Sequence, residues 1–150
     1  LHTNDAPSTI TRLKDMGVPP FMITATVEAI LAQRLVRRIC TECREQTDFT
    51  ELQLWELELK KEDLKGQKTY RGAGCNACNG TGFKGRSGLF ELMIMNDELR
   101  ELIMEGASAD KLRKIAKKHG MRPLRDIGMD FLTQGLTTAD EVIRETILDA

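Results

Sequence analysis

Apolar residues recur along this chain with changing periods, and punctuating residues divide the stretches. Between Asp5 and Gly17, Ile10 and Leu13 share a helical face; Asp5 can cap that helix, Pro7 sits in its first turn and Gly17 ends it. Val18-Pro19-Pro20 is a break, and a second helix is predicted from about Pro20, carrying Phe21, Met22 and Ile23. The apolar stretch Ile30 to Ile39 holds Arg34, Arg37 and Arg38 and fits neither period cleanly, so helix and strand both stay open there. Residues 44 to 67 are polar, with Leu52, Leu54, Trp55, Leu57 and Leu59 clustered in a run that predicts a helix over part of the stretch. A short strand is predicted over 68 to 74. A second, Leu89 to Met95, should follow a turn at Gly85-Arg86-Ser87-Gly88.

The last third reads as capped helices forming a packed core. Asn96 precedes Leu99, Leu102 and Ile103; Ser108 precedes Leu112, Ile115 and Ala116, which stop at Gly120. Pro123 opens another helix with Leu124, Ile127, Phe131 and Leu132 on one face, ended by Gly135. Thr138 and Glu141 have capping-box spacing before Val142, Ile143, Ile147 and Leu148.

Composition narrows the function classes. A length of 150 residues fits one to one and a half domains, and a net charge of −1 makes no electrostatic case for nucleic acid. One Trp, one Tyr and five Phe are too few and too scattered for a base-stacking platform. No apolar run reaches the ~20 residues of a membrane-spanning helix. The chain opens on Leu1 rather than methionine and reads as a piece of a longer protein, expected in the cytoplasm.

The four cysteines fall in two Cys-x-x-Cys pairs, Cys40–Cys43 and Cys75–Cys78, with none left over. Each pair can aim two sulfurs at one ion, and two pairs close a tetrahedral shell, so structural zinc is expected. Four thiolates leave no open position for water, which excludes metal-based catalysis. A redox dithiol needs one pair in a βαβ setting, and disulfides need an oxidising compartment. Gly80 to Ser87 nearly matches a phosphate-binding loop, with Arg86 at the lysine position. It emerges from a metal knuckle and precedes a strand-like run, so it lacks the strand-to-helix setting that such a loop requires. Arg34, Arg37 and Arg38 form a basic cluster that is either a solvated or salt-bridged surface, or a phosphate or subunit contact.

Three runs together carry a family resemblance: LHTNDAPSTITRLKDMGVPPFM, AQRLVRRICTEC and YRGAGCNACNGTGFKGRSGLFELM. They resemble the C-terminal half of the type II secretion and type IV pilus-assembly ATPases, hexameric RecA-like P-loop enzymes. The likeness covers nearly the whole chain and is weakest between Thr47 and Lys68. It implies an α/β remnant of the ATPase core over 1–39, a zinc module over 40–95 and a helical subdomain over 96–150. It implies that His2 belongs to a His box facing the nucleotide phosphates and that Arg34 is a nucleotide-side or subunit contact. Cys40, Cys43, Cys75 and Cys78 match the family's zinc ligands.

The family's phosphate-binding loop, Asp box and Walker B segment should precede Leu1. The parent is then expected to use ATP and Mg²⁺ as a homo-hexamer acting on an inner-membrane platform protein, peripheral to that membrane through partners. The piece itself is expected to be inactive. The alternative is a zinc-binding interaction module, either a zinc ribbon or the cysteine-rich region of J-domain co-chaperones. Only Cys75 to Gly82 fits the C-x-x-C-x-G-x-G unit that those co-chaperones repeat.

Overall fold

The computed structural model describes residues 1–147; Leu148, expected on the last helical face, lies outside the described residues. In chain order the elements are α1 (Ala6–Asp15), α2 (Pro20–Thr26), β1 (Ala29–Ile39), β2 (Arg44–Thr47), α3 (Glu51–Glu56), α4 (Lys61–Leu64), β3 (Thr69–Gly72), β4 (Phe83–Ile94), α5 (Asp97–Met104), α6 (Ala109–Lys118), α7 (Leu124–Thr133) and α8 (Ala139–Glu145). β1 pairs with β4, and β2 pairs with β3. The chain packs as two units, neither contiguous in sequence.

The first unit takes residues 1–33 and 90–124. α1 packs on α6, and α5 on both α2 and α6, around Ile10, Ile23, Met93, Leu99, Ile103 and Leu112. The sequence-read caps form as expected. Asp5 accepts from Ser8 N at 3.1 Å, Asn96 from Leu99 N at 2.9 Å and Ser108 from Lys111 N at 3.3 Å. Phe21 and Met22 face solvent, and α2 commits only Ile23 to the core. In β4, Glu91 and Met93 are buried while Phe90, Leu92 and Ile94 are exposed, the period of two that defines a strand. Glu91 therefore occupies an inward position otherwise suited to an apolar side chain. Its Oε1 accepts from Ala6 N at 2.8 Å and its Oε2 from Leu124 N at 2.9 Å, so one carboxylate serves the first turns of two helices. Asp5, also buried, pairs with Arg113 at 2.6 Å.

The second unit takes residues 34–89 and 125–147. Leu57, Leu132, Ala139 and Val142 form its core, flanked by Phe49, Leu59, Met129 and Ile143, and α3 packs on α8. The strand β2 was not predicted, because Arg44-Glu45-Gln46-Thr47 has no apolar alternation. It exists through antiparallel pairing with β3, Arg44 opposite Gly72 and Thr47 opposite Thr69. The turn expected at 85–88 is also absent: β4 runs from Phe83 through it, because pairing with β1 carries the backbone onward. The same pairing makes 29–39 a strand where periodicity was undecided.

Thr138 caps α8 through Glu141 N at 3.2 Å, but the Glu141 carboxylate does not close a capping box. Oε2 accepts from Arg37 N at 2.8 Å, while Oε1 accepts from Arg37 Nε at 3.0 Å and Nη2 at 2.7 Å and also meets Arg144. Burial works against ionisation of Glu141, but these donors outweigh it and hold its pKa below the usual carboxylate range. Its stabilising contribution is then present above the unfolded value of about 4.3 and is lost as pH falls through the lower folded value. We expect Glu141→Ala to cost about 2–4 kcal/mol, tempered by the half-exposed Arg37, and Glu141→Gln to flatten the acid limb of unfolding. Urea melts at pH 7 and pH 3.5 check both.

Candidate metal centre

Two pieces of backbone deliver the sulfurs. Cys40 directly follows β1, and its N–H donates to Gly82 O at 2.9 Å; Cys43 directly precedes β2, and its carbonyl accepts from Ala73 N at 3.1 Å. Cys75 and Cys78 bracket a single 3-10 turn, Asn76–Cys78, closed by Gly80 N donating to Cys75 O at 2.8 Å. The turn then passes β3 so closely that only glycine fits. A Cβ on Gly72 would lie 2.1 Å from Gly82 O, and one on Gly82, at φ +80°, would lie 2.5 Å from Gly72 O. These glycines serve the knuckle rather than a phosphate. The run from Gly80 leads into strand β4, so that loop does not open a helix as a phosphate-binding loop does.

The four Sγ atoms all lie within 4.8 Å of one another. The pairs Cys40–Cys75, Cys43–Cys78 and Cys75–Cys78 are each 3.8 Å apart, far beyond a disulfide, and all four cysteines are free. A tetrahedron with ~2.3 Å metal–sulfur bonds has an edge of ~3.8 Å, so the donor set fits one tetrahedral thiophilic ion. Backbone N–H groups serve the sulfurs: Gly74 N reaches Cys43 at 3.3 Å, and Cys75 N and Gly82 N reach Cys78 at 3.3 and 3.2 Å. Without metal the thiols are unequal. Burial pushes Cys43 up to about 12. Burial also opposes ionisation of Cys78, but the N–H groups of Cys75 and Gly82 and the neighbouring thiols bring it down to about 6.

Residues 1–144 match the family described as Type II/IV secretion system protein. The chain belongs to that family. Among its relatives, the type IV pilus assembly ATPase PilB of Thermus thermophilus is 44% identical over 98% of this chain and 16% of its own length. The type II secretion system protein HxcR of Pseudomonas aeruginosa is 42% identical over 97% of this chain and 27% of its own length. The type II secretion system ATPase E of Vibrio cholerae is 40% identical over 97% of this chain and 28% of its own length. The chain thus spans from 16% to 28% of the length of these secretion and pilus relatives.

Among the described residues the metal-ligating group comprises the four cysteines alone, and the other sequence-predicted residues are not part of it. His2 is exposed ahead of α1, beside an open cleft that Ser8, Thr11, Arg12 and Asp110 also line. Arg34 is half-buried in β1. The basic cluster of the sequence is dispersed: Arg37 is committed to Glu141 and lies 4.1 Å over the Phe83 ring, while Arg38 is exposed. Sequence reasoning missed Glu91 and the true partner of Glu141. A lone acid in the apolar run LFELMIM was the one signal for the first; the second left none. Among the described residues no helix is long and apolar enough to cross a membrane.

Proposed function

We propose that this chain is the C-terminal portion of a hexameric RecA-like ATPase that powers pseudopilus or pilus assembly by moving an inner-membrane platform protein. The observation that carries this reading is 37–44% identity, across almost the entire chain, to proteins named as secretion or pilus ATPases and secretion-system proteins. In this reading function follows sequence segments: 1–39 closes the ATPase core, 40–95 is the zinc module and 96–150 the helical subdomain. Zn²⁺ sits in the four thiolates, where it supplies cross-linking and no open coordination position. ATP and Mg²⁺ belong to the longer protein, in the cytoplasm.

His2 is assigned the γ-phosphate side of the parent's site. An imidazole there can donate to the transferring group, and positioning with charge stabilisation does nearly all the work in phosphoryl transfer. Arg34 is assigned a nucleotide-side or subunit contact. His2→Ala in the longer protein is expected to lower ATP turnover roughly tenfold or more, about 1.4 kcal/mol in the barrier. Steady-state ATPase assays on the hexamer test this; unchanged turnover with intact secretion or piliation would remove His2 from the site. The 150-residue chain alone is expected to hydrolyse no ATP, since its one near-match to a phosphate loop runs into a strand. Micromolar ATP binding abolished by Arg86→Ala in calorimetry would reverse that.

A further inference from the structure

The second unit carries a basic cleft of about 330 Å³ with no acidic residue in its lining. Arg38 at the end of β1, Arg44 at the start of β2, and Lys84 and Arg86 in β4 bring four cations to it from three segments. Arg44 is held in place: its Nη1 donates to Gly135 O at 3.2 Å and its guanidinium lies 5.8 Å from the Tyr70 ring centroid. Arg38, Lys84 and Arg86 are exposed, with no carboxylate partner among the described residues. Among the described residues none of these four cations hydrogen-bonds a cysteine sulfur; the donors from outside the cluster are backbone N–H groups.

We propose that this cleft docks an acidic segment of a protein partner, with the guanidinium forks of Arg38, Arg44 and Arg86 taking successive carboxylates and Lys84 adding charge. The donors are long exposed side chains on strands. No residue of the lining belongs to the first turn of a helix, the place from which a tight site for one small phosphate draws its N–H groups. Each exposed cation contributes little singly, so affinity requires several anionic groups on one chain. The cleft also lacks exposed apolar residues that would enter a lipid surface. The recognition chemistry is the same whichever protein supplies the segment, and it is independent of the ATPase reading.

Calorimetry of the purified 150-residue chain with a decaglutamate peptide tests this. Binding is expected at about 100 µM or tighter in low salt, weakening roughly tenfold at physiological ionic strength. The double variant Lys84→Glu/Arg86→Glu should weaken it by at least tenfold, and Arg38→Glu should do so to a lesser extent. The control Lys111→Glu/Lys114→Glu, with the same change in net charge on exposed α6 positions, should bind like the parent chain. Unchanged circular dichroism and metal content in each variant confirm that the fold is kept. No binding up to about 1 mM, or equal loss in cleft and control variants, overturns the proposal. So does tighter binding of inorganic pyrophosphate at the same residues, or of phosphatidylglycerol vesicles where the peptide fails.

Discussion

Cys78→Ser is expected to abolish metal binding and to unfold the region from residue 40 to 90. Cys78 is buried and lies 3.8 Å from both Cys43 and Cys75, and its sulfur accepts two backbone N–H groups. A serine hydroxyl is a poor fourth ligand, and its shorter bond withdraws the acceptor from Cys75 N and Gly82 N. The two cysteine pairs close the chain between residues 43 and 75, whose regular structure is β2, β3 and two helices of 6 and 4 residues. So little local structure depends on the cross-link. Structural zinc supplies about 10–16 kcal/mol of apparent binding energy in small peptides, as much as a whole domain's net stability. The purified chain should carry about one zinc in reducing buffer without chelator, and each Cys→Ser variant none. Metal analysis reads the stoichiometry, and amide exchange over β2 and β3 reads the loosening. A parent stoichiometry near zero would sink the zinc assignment. In the longer protein the same variants should impair folding, assembly or coupling before phosphate chemistry.

Glu91→Ala is expected to destabilise the chain by about 3–5 kcal/mol, near the upper end for a single substitution. It would strip the acceptor from two N–H groups, those of Ala6 and Leu124, and leave a cavity in a core position. Each buried unsatisfied donor costs about 1–3 kcal/mol, and partial entry of water is the main relief. Burial raises the Glu91 pKa above the ordinary range, opposed by the two N–H donors and by Arg113, while the Asp5 charge adds to the rise. A raised folded pKa means that the folded state holds the proton more tightly. The contribution of Glu91 therefore weakens as pH rises through the folded value, the opposite sign to Glu141. Glu91→Gln keeps one acceptor and should cost about half as much as Ala while losing that pH dependence. Denaturant melts of the two variants between pH 4 and pH 8 separate the effects; a loss below about 1 kcal/mol for Ala would mean that the two N–H groups find other partners.

The caps show how much was legible locally. Asp5, Asn96, Ser108 and Thr138 each satisfy an N–H three residues on, a relation contained within one turn and so written in adjacent residues. The cysteine cluster was legible for a similar reason: two residues between ligands set their geometry, and an even count with none spare implied one closed shell. Only the meeting of the two pairs required the fold. Of Arg34, Arg37 and Arg38, Arg37 pairs with Glu141, in line with the salt-bridged alternative of the sequence reading, while the partner itself could not be read from neighbouring residues.

What the sequence determined by itself was local or combinatorial: capped helices, a tetrathiolate donor set, and membership of a secretion family through three runs read together. Tertiary structure alone decided the rest. Residues 29–39 became a strand because β4 lies beside them, and β2 formed from polar residues because β3 offered its ladder. Glu141 left its capping box for Arg37, 104 residues away in sequence, since a buried carboxylate gains more from a guanidinium fork and a backbone donor than from its own helix end. Glu91 gathered N–H groups 85 and 33 residues distant. Hydrogen-bond partners at such separations are selected by packing and desolvation, and neither acts until the chain has folded.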